Sequence, residues 1–218
     1  MNEAVASTLA TESMRGSVLR GVPYRRQQNW FYCGAASAQM VLESLGVTEL
    51  SQDDLYRQAR DNTVERSLWR SPPDGMAWAL NANRTREKRR FVIIAADDAE
   101  SQARWLAWYL HQYGTPPIVL VEKRMHWIVV CSCTASGVPV SPDDSSYSID
   151  SFVVNDPWPP EHVGSSRSDA TLFHGGRTGR PNQRIAYPTW LETYAMRVDV
   201  GRWRGKYVSL CDVDVVDR

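Results

Sequence analysis

No stretch of this 218-residue sequence approaches the eighteen or so consecutive apolar residues that cross a bilayer. The first twenty residues also lack the uninterrupted apolar run of a signal peptide. The expectation is a protein that stays in the cytoplasm, or one exported without a cleaved signal. Net charge is missing too: 25 Lys and Arg stand against 25 Asp and Glu. A general polyanion binder carries a clear basic excess, so neither nucleic acid nor an acidic membrane is an expected partner. There is no phosphate-cradling glycine loop and no dinucleotide fingerprint, so no cofactor is implied. No cysteine or histidine pairs stand at zinc-finger spacing, and no metal is expected.

Cysteine is scarce, at four residues. Cys131 and Cys133 lie two apart in a strand-like run and should share a face, which suits neither a bridge between them nor a C-x-x-C motif. With Cys211 they read as small buried apolar residues. Cys33 has a different neighbourhood.

What is present is a globular composition, 43% apolar, with an excess of nine tryptophans. Helical spacing of apolar residues runs from Ala35 to Leu45 and stops at Gly46. Ser51-Gln-Asp-Asp opens a second helix that reaches Asn62, and Pro72-Pro73-Asp74 starts a third over Gly75 to Asn81. Arg84 to Arg90 reads as a solvated basic turn. A strand at Phe91 to Ala95 precedes an amphipathic helix, Asp97 to Tyr113, in which His111 is expected to pack. Strands follow at Ile118 to Val121, His126 to Cys133 and Ser148 to Asn155, the last two joined by the polar stretch Thr134 to Tyr147. Pro157 to Pro188 has little periodicity and reads as a long loop. Its His162, His174, Arg167, Arg177, Arg180 and Arg184 either line a cleft or are solvated. Thr189 to Arg197 reads as helical, and Gly205 to Val213 as a closing strand. Helices first and strands later make an α+β pattern. Residues 1–20 are expected to be a loosely ordered arm before one domain spanning 21–218.

Cys33 stands just ahead of the first strong helix. Unpaired N–H groups and the positive end of the helix dipole at such a position stabilise a thiolate, the nucleophilic form. Gly34, Ala35, Ala36 and Ser37 are small, so a substrate backbone and the helix can both approach closely. His126 begins an apolar strand, and Asp156 ends the next one, just before a proline. Antiparallel neighbours bring the start of one strand beside the end of the other, so His126 and Asp156 should meet. A cysteine, a histidine and an orienting acid on separate elements is the layout of nucleophilic catalysis.

These segments resemble the bacterial papain-like cysteine peptidases: domains that trim leader peptides from exported bacteriocins, and papain-like effector proteases of plant pathogens. The likeness rests on Gln27, six residues before the Cys33-Gly-Ala-Ala-Ser-Ala-Gln-Met helix start, on His126 before apolar strand residues, and on Asn-Asp156-Pro-Trp. The resemblance implies a papain-like α+β fold, a peptide or protein substrate and a Cys33 acyl-enzyme. It implies His126 as base and Asp156 as the residue orienting it. Gln27 would join the Cys33 N–H in an oxyanion hole. Gln28 remains open as the donor, and Asn155 as the orienting residue. Trp158 is expected to shield the His126 pair from water, with Trp30 and Gly34 also on the substrate side. Trp127 should point to the opposite face, and the other tryptophans, Trp78 included, are expected in the core. The segment from His126 to Asp156 is longer than in the leader-trimming enzymes, and Ala35 stands where proline is frequent. Two other functions share this chemistry or fold: a cysteine-dependent acyl transferase or amidase (transglutaminase-like or cell-wall), and an inactive binding module.

Overall fold

The computed structural model describes residues 21–84, 88–122, 126–158, 161 and 179–215. The arm at 1–20, His162, His174, Arg167 and Arg177 lie outside the described residues.

The first helix, α1 (Cys33–Ser44), is buried along almost its whole length, with Ala35, Ala36, Ala38, Met40, Val41 and Leu42 all inaccessible. A helix apolar all round belongs inside a core. It ends at Gly46, whose φ of +86° suits a residue without a side chain. Helix α2 (Gln52–Asp61) starts where expected, because the Ser51 hydroxyl accepts the Asp54 N–H at 3.0 Å. Helix α3 (Pro73–Ala82) begins two residues earlier than the sequence suggests, since proline suits the first helical turn. It lies tightly on α2: a Cβ at Gly75 would stand 1.9 Å from the Ala59 carbonyl oxygen.

Six strands form one antiparallel sheet in the order β1 (Arg89–Ala96), β6 (Tyr207–Asp214), β2 (Ile118–Val121), β3 (His126–Ala135), β4 (Ile149–Asn155) and β5 (Gln183–Ala186). Helix α4 (Ala99–Tyr113), capped by Asp98, runs between β1 and β2. Side chains alternate along β2, so Ile118 and Leu120 join the core with α1 to α3 while Val119 and Val121 join Leu106 and Leu110 of α4. A sheet covered on both faces reads as near-continuous apolar runs.

Several expectations need correction. Cys131 and Cys133 fall in different cores, because a bulge between Val130 and Ser132 inserts an extra residue and breaks the two-residue alternation. The long segment before Pro188 contains β5, an edge strand whose one buried residue, Ile185, is too little to register as periodicity. The helix expected at 189–197 is a short helical piece, Tyr187–Thr189, continuing as a π turn, Trp190–Tyr194. Arg84 and Arg89 do not form a solvated turn: both pair with Asp212, which is fully buried. His111 is exposed in the last turn of α4 rather than packed. Trp78 is 46% exposed rather than core. Trp69, Trp190 and Trp203 are buried, while Trp105 and Trp108 are half-buried on α4. Among the described residues no helix is long and apolar enough to cross a membrane.

Candidate active site

Cys33 is the first residue of α1 and is 8% exposed. No side chain caps this helix, and its first turn carries no acid. The dipole and the leading N–H groups are therefore left to whatever occupies the cleft. Gly34 is buried, and a Cβ there would lie 2.6 Å from the Ser71 Cβ and 2.9 Å from the Met76 sulfur. Glycine at this position is what lets α3 and its leading turn approach α1 so closely.

His126 opens β3, and Asp156 follows the last residue of β4. The register pairs Val129 with Asn155, which puts the two ends together. His126 Nε2 meets Asp156 Oδ1 at 2.6 Å, and the Cys33 thiol lies near enough to the ring to act on its charge. Burial opposes a charge on this imidazole. The Asp156 carboxylate, its bond to the ring and the nearby Cys33 thiol outweigh it and raise its pKa from 6.5 to about 10. Cys131, Cys133 and Cys211 have no such partner: burial pushes each thiol up to about 12.

Asp156 is itself held from several directions. Its Oδ1 accepts the Trp158 N–H at 3.0 Å, and its backbone carbonyl accepts the Tyr24 hydroxyl at 2.9 Å. Its N–H donates to the Arg180 carbonyl. Asn155 points elsewhere: its Oδ1 accepts the Asn182 N–H at 2.9 Å, and its amide donates to Val22. The alternation of a strand separates the two residues, and only Asp156 reaches the imidazole.

Gln27 is fully buried, whereas Gln28 is exposed. The Gln27 backbone donates to Pro157 and accepts from Glu161, so it is tied to the same loop that carries Asp156. Its Nε2 donates to the Asn29 carbonyl at 2.8 Å. Trp158 is buried edge-on to the His126 ring at 6.4 Å between centroids, and Trp30 packs on Trp158 at 5.0 Å. Trp127 turns the other way, into the helical core, where its Nε1 donates to the Ser71 carbonyl.

A family model described as the Peptidase_C39-like family matches residues 19–173. The chain belongs to that family. Its members are papain-like cysteine peptidases, and the fold agrees. A solved double-glycine-motif protease of an AMS/PCAT transporter, in complex with a leader peptide, superposes with a TM-score of 0.50. The two are 15% identical, over 93% of this chain and 97% of that one. A putative C39-like peptidase of Bacillus anthracis gives 0.49 at 12% identity, over 92% and 97%. The peptidase domain of Streptococcus ComA gives 0.48 at 12% identity, over 89% and 100%. No curated protein matches the chain.

In this C39-like peptidase the sequence did not single out Gly179, Tyr24 or Ser71. Gly179 lies against Asp156: a Cβ there would stand 2.5 Å from its Oδ1 and 2.2 Å from the Trp158 carbonyl oxygen. A lone glycine in a long irregular segment carries no signal of what it faces. Tyr24 and Ser71 act through single bonds to distant backbone, which no local pattern encodes.

Proposed function

We propose that this C39-like peptidase hydrolyses peptide bonds through an acyl-enzyme on Cys33, with His126 as acid and base, Asp156 as the orienting residue and Gln27 as an oxyanion donor. The observation that carries this reading is the buried imidazole of His126, bonded to Asp156 at 2.6 Å and near enough to the Cys33 thiol for the two to act on each other. A charged ring beside the sulfur favours the thiolate. The sulfur attacks the carbonyl carbon of the scissile bond, and the carbonyl π pair moves onto oxygen. The N–H of Cys33 and the second Nε2 hydrogen of Gln27 receive that negative charge. As the tetrahedral adduct collapses, the C–N bond breaks, and the imidazolium gives its proton to the departing amine. A water then enters, loses a proton to the neutral ring and attacks the thioester carbonyl. The acid leaves, and the thiolate–imidazolium pair is restored. Asp156 holds the ring through both proton transfers, and Trp158 keeps water from their hydrogen bond.

The substrate is a peptide or protein. Support comes from the family and from a structural neighbour solved with its leader peptide. Incubation of wild type and Cys33→Ala with a diverse peptide library, followed by sequencing of the new termini, tests the reading. Cleavage by wild type alone is expected; equal products from both proteins would overturn it.

A further inference from the structure

Trp30 and Phe31, just ahead of Cys33 in the chain, are held by different partners. Trp30 packs on Trp158 beside His126, whereas Phe31, 45% exposed, lies under the guanidinium of Arg70 at 4.5 Å from the ring centroid. Arg70 is anchored at the cleft through its neighbour. Ser71 Oγ donates to the Phe31 carbonyl at 3.3 Å, and the Ser71 carbonyl accepts from Trp127 at 2.9 Å. The Ser71 side chain also fills the space that a side chain at position 34 would need. An exposed cation is thus fixed on an aromatic ring two residues from Cys33.

Its charge is unbalanced. Arg66 pairs with Asp61 at 2.5 Å, and Arg202 with Asp74 at 3.0 Å. Glu65 is taken by the Trp69 indole and the Arg202 backbone. Among the described residues no carboxylate pairs with Arg70, and Arg60 spends its donors on the neutral carbonyls of Arg66 and Trp69. Arg60, Arg66, Ser67, Leu68, Trp69 and Arg70 line a cavity of about 300 Å³. The turn before α3 therefore combines a roomy recess, an excess of positive charge and a guanidinium whose planar donor fork is open to solvent.

We infer that Arg70, stacked on Phe31, is a specificity-determining residue that receives an Asp or Glu side chain of the substrate close to the scissile bond. A carboxylate takes the guanidinium fork in a bidentate, charge-assisted pair, and the Phe31 face keeps that fork oriented without neutralising it. The inference rests on the peptidase reading of the cleft, and it adds the class of residue the cleft selects.

Two measurements on wild type, Arg70→Glu and Cys33→Ala test it. In library cleavage, wild type should enrich Asp or Glu at one position within about four residues of the cut, by roughly tenfold, the scale of one charge-assisted pair. Arg70→Glu should lose that enrichment and turn towards Lys or Arg at the same position. No acidic enrichment, or an unchanged pattern in Arg70→Glu, overturns the inference while leaving the peptidase intact. The second measurement needs no turnover: the rate ratio of iodoacetate to iodoacetamide at Cys33 in low salt. Reversing a charge near the thiol should lower that ratio about threefold or more. If wild type cleaves no more than Cys33→Ala, the peptidase reading fails and the inference falls with it; cleavage intact with an unchanged ratio overturns the placement of Arg70 beside Cys33 alone.

Discussion

Four thiols in one chain differ by what surrounds them. Three are pushed up to about 12 by burial, while Cys33 stands at an uncapped helix start beside His126. At near-neutral pH iodoacetamide should therefore modify Cys33 at least tenfold faster than the rest, as read by peptide mass mapping. Uniform slow labelling would remove the basis for a Cys33 nucleophile. Removing the Gln27 amide should lower turnover by roughly 10²–10³-fold, the usual cost of one oxyanion donor. Gln28→Ala should leave turnover unchanged; the reverse pattern would reassign the hole. The His126 pKa, raised from 6.5 to about 10, carries a stability consequence with a definite sign. A raised value means that the protonated ring stabilises the fold fully below pH 6.5, and that this contribution fades as pH climbs through about 10. Asp156→Asn removes the main cause of the shift. Its deficit in urea midpoint relative to wild type should be largest near pH 6 and should shrink towards pH 10.5. A pH-independent deficit would mean that the ring is not held charged.

At the scale of elements, the site depends on where strands and helices end. α1 offers its first residue because it begins without a capping side chain, and β3 and β4 bring His126 and Asp156 together at one rim of the sheet. The sequence made these elements legible, since α1, β2 and β4 carry strong apolar patterns. It misplaced Cys133 because a single inserted residue in β3 reverses the alternation after Val130, and nothing local announces a bulge. It also missed β5, which is four residues long with one inward side chain. The contact of α3 with α2 is sensitive in the same way. Gly75→Ala would drive a methyl into the Ala59 carbonyl, and a cost of about 1–3 kcal/mol is expected from overpacking. Thermal or urea unfolding measures it; wild-type stability would show that α3 can slide without loss.

Across the whole molecule, the far side of the sheet is fastened by a buried charge cluster. Asp212 on β6 accepts from Arg84, which follows α3, at 2.8 Å, and its backbone carbonyl accepts from Arg89 on β1 at 2.6 Å. Its N–H donates to the Tyr109 hydroxyl of α4 at 2.6 Å. Four elements meet at one carboxylate-bearing residue. Asp212→Ala strips the buried Arg84 of that carboxylate and should cost about 3–5 kcal/mol, seen as a large fall in urea midpoint. The basic run from Arg84 looked like a solvated turn because its partner, Asp212, lies 128 residues along the chain.

The sequence by itself determined the order of the main helices and strands, a cysteine at a helix start, and the histidine and acid at the ends of neighbouring strands. These are local properties: hydrophobic period, capping chemistry and small residues after a cysteine are encoded within a few positions. Tertiary structure alone decided between neighbours in the chain. It turned Asp156 rather than Asn155 towards the imidazole, buried Gln27 and left Gln28 outside, and set Gly34 and Gly179 against side chains remote in sequence. Those choices depend on which face of a strand or loop meets another element, and that is fixed only once the sheet and helices have packed.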